Sequence, residues 1–320
     1  MRIVIAGGTG QIGQILTRGL EGRGHTVQIL SRSATDPALK WDGRTDGPWM
    51  ATLDGADAVI NLTGRSVNCR YHWANLNEMM ASRIDSVLAI GRAIRAARRP
   101  PAVWLQASTA TIYAHTHGPA HDEATGHLGG NVPGTPAYWA YSVHIARCWE
   151  LALDSVQTPT TRKVALRLGF TMSPDQDGIF DVLVWLAERG LGGPFCGGDQ
   201  YISWIGDRDL VGAVDLLLHR DDLEGAVNLT APEPIRNRSF MALLTRAVKA
   251  PVALPVARWM ARLGAVWLQT DIELMEKSRR VVPQRLLDAG YVFESPTWAD
   301  ALPDLLARLR RRGDGGALAA

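Results

Sequence analysis

Cysteine is scarce in this chain of 320 residues, which has only Cys69, Cys148 and Cys196. An odd, widely spaced set with no Cys-x-x-Cys pair makes no disulfide framework, so a reducing cytoplasm is the expected compartment. An excess of one charge is also missing, with 34 Lys and Arg against 32 Asp and Glu and a net charge of +2. Such a balance gives no general reason to expect nucleic acid or an acidic membrane surface as a partner. Long hydrophobic runs are absent as well. The most apolar stretch beyond the N-terminus, 251–268, is interrupted by Arg258 and Arg262 and is not expected to span a bilayer. The run Ile3-Val4-Ile5-Ala6 is too short for a signal peptide and leads directly into Gly7-Gly8. Phenylalanine is sparse, five against eleven tryptophans, and most of those tryptophans are expected in the core.

What is present is ordinary globular material, 46% hydrophobic and 21% charged. Strand-like runs at 2–6, 26–30, 58–62, 103–107, 164–168 and 226–230 alternate with helical patterns at 11–23, 76–97, 142–156 and 209–220. Alternation of this kind predicts an α/β fold, a doubly wound parallel sheet of Rossmann type. The second half is less regular: 179–189 is helical by spacing, the chain after Pro251 reads as mostly helical, and 283–290 has Pro at its start and Gly at its end. The expected division is a Rossmann domain over 1–175, with later contributions near 205–232. A smaller, mostly helical substrate domain follows from 176–204 and 233–320.

Between the first strand and first helix lies Gly7-Gly8-Thr9-Gly10-Gln11-Ile12-Gly13. The chemistry of a pyrophosphate site requires glycine here, for a tight turn, close backbone approach and helix packed directly on strand. The helix N-terminus then offers its N–H groups to phosphate. Dinucleotide binding by Gly7, Gly10, Gln11, Ile12 and Gly13 is therefore expected. An NAD site places an acidic residue at the end of the second strand. This chain has Ser31-Arg32-Ser33 there, and a guanidinium flanked by hydroxyls suits a 2′-phosphate. NADP(H) is the expected cofactor.

Further segments carry a family resemblance. Asn61-Leu62-Thr63-Gly64 is similar to the Asn-Leu-Ala-Gly that ends the fourth strand of extended short-chain dehydrogenases/reductases, and Ser82-Arg83 follows at the right distance. Residues 109–113, Thr-Ala-Thr-Ile-Tyr, resemble the Ser-Ala-Thr-Val-Tyr of sugar epimerases. Cys148-Trp149-Glu150, Leu191-Gly192-Gly193-Pro194, Tyr201-Ile202-Ser203-Trp204-Ile205 and the segment 228–235 follow in order. Over residues 1 to about 302 the chain resembles an atypical, epimerase-like family of these enzymes with a small C-terminal domain of unknown function. The resemblance implies that Leu62, Thr63, Gly64, Arg83, Ala107 and Ser108 also border the cofactor. Arg83 falls where related enzymes carry an active-site Asn.

The usual chemistry of the superfamily uses a Tyr proton donor, a Lys four residues later and a Ser or Thr that orients the carbonyl. Thr109 matches the Ser/Thr position. The Tyr-Lys pair is missing. Counting back from Glu150, the Lys falls at Ala146 and the Tyr near Ser142. Tyr141, one residue off, with His144 three residues on and on the same helix face, is one candidate donor. Tyr113 is another. His144, Phe195, Tyr201 and Trp204 are candidate substrate contacts, while Gly206 stands where the family typically has His. The loop between Tyr113 and Tyr138 holds His115, His117, His121 and His127, half of the chain's eight histidines. It follows a strand's carboxyl end and is expected to be a polar lid. Its glycines and prolines argue against a metal cage, and no metal is expected.

The function expected from these features is that of an NADP(H)-dependent oxidoreductase or epimerase. Its substrate is a small molecule bearing a carbonyl or hydroxyl, and a homodimer is possible. A non-catalytic NADP(H)-binding sensor or scaffold is the alternative, and the missing Tyr-Lys pair is its main support.

Overall fold

The computed structural model describes residues 1–67, 69–130, 135–136, 139–176, 178–257 and 273–317. Ten strands are present among them: β1 Arg2–Ala6, β2 Thr26–Leu30, β3 Ala58–Asn61, β4 Val103–Thr109, β5 Arg162–Leu168, β6 Phe170–Met172, β7 Tyr201–Ile202, β8 Trp204–Gly206, β9 Gly225–Leu229 and β10 Ile235–Arg236. The helices are α1 Gln11–Glu21, α2 Trp73–Ala96, α3 Trp139–Ser155, α4 Ile179–Leu186, α5 Asp207–His219, α6 Asn237–Ala247, α7 Glu273–Glu276, α8 Gln284–Asp288 and α9 Trp298–Ala317.

Six strands form one sheet in the order β2-β1-β3-β4-β5-β9, parallel throughout. In register, Ile3 lies beside Ala58 and Ile5 beside Ile60. The chain runs outward from β1 to β2, then returns past β1 to β3. Strand order therefore reverses between β1 and β3, and a crevice opens at their carboxyl ends. A parallel sheet needs cover on both faces, which explains the near-continuous apolar runs of its strands. Ile3, Ile5, Ile60 and Leu105 pack against Leu16 and Leu20 of α1 and Val214 and Leu217 of α5. The alternate residues Val4, Ala6, Val59 and Trp104 pack on the other face, against Val87, Ile90 and Ile94 of α2 and Leu153 of α3.

A third core lies outside the sheet and is aromatic. Phe240 stacks on Trp298 with ring centroids 4.1 Å apart, and Trp204 meets Trp298 at 5.1 Å. Phe180, Met241, Leu244, Leu302 and Leu305 complete it. The short ribbons β6–β8 and β7–β10 flank this core. The sequence signature at 283–290 forms α8, with Gly290 at φ +78° just beyond it. Residues 258–272, which hold most of the apolar stretch 251–268 and part of the chain expected to be mostly helical after Pro251, lie outside the described residues. Among the described residues no helix is long and apolar enough to cross a membrane.

Candidate active site

The glycine turn leaves β1 at the point of strand reversal. Gly7 takes φ +78°, and a Cβ there would lie 3.1 Å from the backbone of Leu62 and Thr63. A Cβ on Gly13 would lie 2.5 Å from the Cα of Gly8, so α1 can pack this close to the turn only without a side chain. Gly10 is the N-cap of α1, and no side chain caps the first turn. Its backbone N–H groups thus stay available to an anion.

Two hollows meet at this turn and share Gly7, Gly10, Leu62, Gly64, Arg65 and Ser66. The outer one, about 370 Å³, is lined by Ser31, Arg32, Trp41, Asp42, Arg44, Thr63 and Glu78. The inner one, about 480 Å³, runs past Gln11, Ile12 and Gly13 to Arg83, Ala107, Ser108, Thr109, Ser142, Phe170, Glu273 and Arg279. A more open groove of about 560 Å³ lies elsewhere and is lined by no residue of the six-stranded sheet. The ion pairs Arg18–Asp175 and Arg308–Asp207, each 2.7 Å, account for its polar wall.

In the outer hollow the charges are unequally engaged. Arg44 pairs with Glu78 at 2.6 Å and Asp85 at 3.4 Å. Burial raises the carboxyl of Asp42, but N–H groups of Thr45 and Arg44 and the Thr45 hydroxyl outweigh it and hold the group below the usual carboxylate range. Arg32 makes no ion pair among the described residues, and lines the hollow beside the nearly buried Ser31. Ser33 lies 3.4 Å from the Ser31 hydroxyl, one step outside the lining.

In the inner cleft, Thr109 ends β4, and its Oγ1 accepts the Thr111 N–H at 3.2 Å. It is thus both a cleft residue and the cap of the short helical turn that follows. Arg83 lies over the Trp149 ring, 4.9 Å from its centroid, and donates to the Met79 carbonyl at 2.8 Å. Burial pulls its guanidinium down to about 10.

Several expected contacts are not brought to this cleft. Tyr113 is 1% exposed. Its hydroxyl donates to Asn228 at 3.0 Å and accepts from Arg167 at 2.8 Å, so it cannot serve as a donor to a substrate in the cleft. Burial also raises its pKa despite the adjacent Arg167. Tyr141 and His144 do meet, ring centroids 6.2 Å apart, but on the outer face of α3, where Tyr141 reaches Asn77 and His144 is exposed. The face of α3 that lines the cleft carries Ser142, Ile145, Ala146 and Trp149. Trp204 is fully buried in the aromatic core, and Phe195 and Tyr201 line a small separate hollow of about 70 Å³.

The missing tyrosine and lysine positions, Ser142 and Ala146, therefore do lie in the cleft. The Ser142 hydroxyl donates to the Glu273 carboxylate, a very short bond across 131 residues of sequence. Glu273 and Arg279 come from the segment after α6, and nothing in local sequence marks them; only their arrival in the fold does. The Arg279 Nε donates to Thr111 Oγ1 at 3.1 Å. Beside it, Lys277 is 3% exposed and donates to the Thr111 carbonyl at 2.8 Å. Burial, then repulsion from Arg279, brings Lys277 down to about 7, against an opposing pull from Glu273.

That depression has a sign for stability. The unfolded chain holds the Lys277 proton up to its ordinary value of 10.5, whereas the folded chain sheds it near 7, so stability from this group rises with pH between those values. Lys277→Met is accordingly expected to raise the melting temperature, relative to the parent, by more at pH 6 than at pH 9.5. Differential scanning calorimetry at the two pH values checks this, and a larger gain at pH 9.5 would contradict it.

The described histidine-bearing part of the loop expected as a polar lid is hydrogen-bonded to residues 278–282. His121 pairs with Val281, its N–H donating to the Arg280 carbonyl at 2.7 Å and its carbonyl accepting from Val282 at 2.9 Å. His115 Nδ1 accepts the Ser278 N–H at 2.9 Å, and burial, with His117 nearby, lowers its pKa to about 4. The Glu123 carboxylate accepts the Asn228 N–H at 2.8 Å. Residues 131–134 and 137–138 of this loop lie outside the described residues. Among the described residues no cluster of His, Cys, Asp and Glu is arranged to hold a metal ion.

Fold and site together define an extended short-chain dehydrogenase/reductase architecture. The chain belongs to the NAD dependent epimerase/dehydratase family, whose model matches residues 3–229. Residues 256–305 match a domain of unknown function, DUF1731. The chain is 30% identical to epimerase family protein SDR39U1 of Bos taurus over 311 residues, 96% of this chain and 100% of that one. It is 27% identical to epimerase family protein YfhF of Bacillus subtilis, covering 96% of this chain and 98% of that one. Among solved structures, human epimerase family protein SDR39U1 (isoform 2) with NADPH superposes with a TM-score of 0.82 at 26% identity, over 95% of this chain and 99% of that one.

Proposed function

We propose that this protein binds NADP(H) and transfers hydride to or from a small molecule bearing a carbonyl or hydroxyl group, as an oxidoreductase or as an epimerase with a transient hydride step. The observation that carries the reading is the continuity of the two hollows through the glycine turn, with Arg32, which makes no ion pair among the described residues, at one end and Thr109 and Ser142 at the other. The human relative solved with NADPH supports it. The residues fit the group: the turn excludes side chains at Gly7 and Gly13, and α1 begins uncapped.

When bound, the cofactor supplies or accepts the hydride. Gly7, Gly10 and Gly13, with the N–H groups of Gln11 and Ile12, hold the pyrophosphate. Ser31 and Arg32 take the 2′-phosphate, and Arg44, tied to acidic neighbours, does not compete for it. Leu62, Thr63, Gly64, Ala107 and Ser108 wall the cofactor. Thr109 orients the reacting oxygen. Ser142 relays a proton between that oxygen and the Glu273 carboxyl, its hydroxyl proton moving to one as a proton arrives from the other, a role that a tyrosine would otherwise fill. Residues 1–175 with 205–232 act as the cofactor domain, and 176–204 with 233–320 as the substrate domain, which reaches the cleft through 273–279.

A sensor without turnover is favoured by one observation, Ala146 in the cleft where a lysine would lower the donor's pKa. Calorimetric titration of NADPH, NADP⁺ and NADH into the parent and Arg32→Ala, followed by a carbonyl panel read at the NADPH absorbance, separates the readings. NADPH is expected to bind more tightly than NADH, and Arg32→Ala to weaken NADPH by roughly 10- to 100-fold, the worth of a charge-assisted contact. No binding of NADPH, or an unchanged affinity in the variant, would overturn the assignment of the 2′-phosphate site. Binding without turnover on any carbonyl, and with unequal affinity for the two redox forms, would support the sensor.

A further inference from the structure

Arg83 is a cation set beside the joint of the two hollows. It comes from the middle of α2 and lines the inner cleft but not the outer hollow. A Cβ on Gly64, which borders both hollows, would lie 3.3 Å from Arg83 Cγ and Cζ. The bare backbone after β3 thus lets the arginine lie against it. The guanidinium also lies over Trp149, 4.9 Å from the ring centroid. Trp149 stands one turn beyond Ala146 on the cleft face of α3. So α3 itself brings no cation to that stretch of the cleft, and Arg83 reaches it from the neighbouring helix. Its Nη1 donates to the Met79 carbonyl at 2.8 Å, and it makes no ion pair among the described residues. Besides burial, its titration responds to Tyr71 and Cys69, neither of them a carboxylate, and at about 10 the group is still charged at neutral pH.

The two redox forms of a nicotinamide cofactor share their adenosine and phosphates. They differ in the charge of the ring, which is cationic when oxidised and neutral when reduced. A fixed cation near the ring tells them apart, and does so best where water is scarce, because unit charges interact more strongly there. Met79, Ile145, Ala146 and Trp149 give the cleft around Arg83 such an apolar wall. With the 2′-phosphate at Arg32 and the pyrophosphate at the glycine turn, the inner cleft is left for the nicotinamide half. Arg83 lies on that side of the turn. Glu273 and Arg279 line the same cleft as neighbours of opposite charge, and the exposed Arg65 is bonded to Asn75 at 2.8 Å.

We propose that Arg83 makes this site select the reduced cofactor: its guanidinium repels the cationic ring of NADP⁺ and leaves the neutral ring of NADPH unopposed. The protein then rests with NADPH bound and releases NADP⁺, the loading order of a carbonyl reductase. This rests on the reading that the two hollows form one NADP(H) site, and it gives that site a direction. Arginine suits the task because its charge persists even where burial lowers its pKa, as a buried lysine's does not.

The test is a calorimetric titration of the full chain with NADPH, NADP⁺ and 2′-phospho-ADP-ribose, which carries every phosphate and no nicotinamide. The parent is expected to bind NADPH at least about tenfold more tightly than NADP⁺. Arg83→Met is expected to reduce that preference by about tenfold, chiefly through tighter binding of NADP⁺. Its affinity for 2′-phospho-ADP-ribose is expected to stay within about threefold of the parent's, and Arg83→Lys, which keeps the charge, to retain the preference within about threefold. An arginine that only supports the fold, or only holds phosphate, lowers all three affinities together and leaves the ratio unmoved. Equal affinity of the parent for the two redox forms, an unchanged ratio in Arg83→Met, or a parallel loss of all three ligands overturns the proposal. If Arg83→Met does not fold, Arg83→Gln, which keeps a donor for the Met79 carbonyl, replaces it with the same outcomes deciding. A parent that binds neither NADPH nor 2′-phospho-ADP-ribose sinks the cofactor reading itself, whereas binding of both with an unmoved ratio sinks only the role of Arg83.

Discussion

Arg167→Met is expected to destabilise the protein by about 3–5 kcal/mol, the usual consequence of leaving a buried charge without its partner. Arg167 reaches Glu150 twice, Nε to Oε1 at 2.9 Å and Nη2 to Oε2 at 2.8 Å, with the two side chains only 8% and 15% exposed. The same carboxylate accepts the Ser108 hydroxyl, and Nη1 of the same arginine donates to Tyr113, which donates on to Asn228. Four elements, β4, α3, β5 and β9, are thus tied by one hydrogen-bonded chain under the cleft floor. Burial opposes the charge on Arg167, but Glu150 outweighs it and leaves the guanidinium more firmly protonated than usual. Removing the arginine strands Glu150 and takes a donor from Tyr113. The double replacement Arg167→Met with Glu150→Leu removes both charges and is expected to recover much of the loss. Urea unfolding of the three proteins measures both effects. A single-variant cost below about 1 kcal/mol would place the pair among weak surface bridges.

Gly13→Val is expected to abolish measurable NADPH binding while the sheet still forms. The contacts that a Cβ would meet, Cα, C and O of Gly8 at 2.5 to 2.6 Å, are all backbone, so no rotamer change can relieve them. Relief requires α1 to move away from the turn, and this withdraws the N–H groups that would hold the pyrophosphate. The far-UV circular dichroism is expected to stay near the parent's, with NADPH affinity reduced by more than about 100-fold, or some 3 kcal/mol. Retained affinity would mean that phosphate is bound elsewhere. Gly8 offers a contrast, since the nearest atoms that a Cβ there would meet belong to the Ile29 side chain, at 2.8 to 3.3 Å, rather than to backbone.

The inner sheet strands were legible in the sequence because they are buried on both faces and so read as short apolar runs, and the half-buried edge strand β2 was legible from its β-branched alternation. The glycine turn was legible because steric demands at Gly7 and Gly13 admit no other residue. Counting back from Glu150 to Ser142 and Ala146 located the cleft face of α3, spaced as Ser142, Ile145, Ala146 and Trp149. The expectation for Tyr141 failed for a geometric reason: one residue on a helix is a turn of about 100°, enough to carry the ring off the cleft face and toward Asn77. Trp204 and Phe195 were misplaced because an aromatic beside a glycine turn reads alike whether it lines a pocket or fills a core. Glu273, Lys277 and Arg279 were not legible at all. Their meaning arises from contacts with Ser142 and Thr111 more than 130 positions away, and no local period encodes such a meeting.

The stitching of residues 115–121 to residues 278–282 also sets a schedule for synthesis. A ribosome that has delivered the chain through β5 has released five of the six sheet strands and the whole phosphate turn. It has not yet released the segment that closes the reaction chamber, so for roughly 100 further residues, some 5–20 s at typical elongation rates, the nascent chain can hold a dinucleotide half-site with one wall missing. Truncations that stop short of residue 273 should therefore leave a nucleotide binder whose cleft lacks the wall that Glu273 and Arg279 supply.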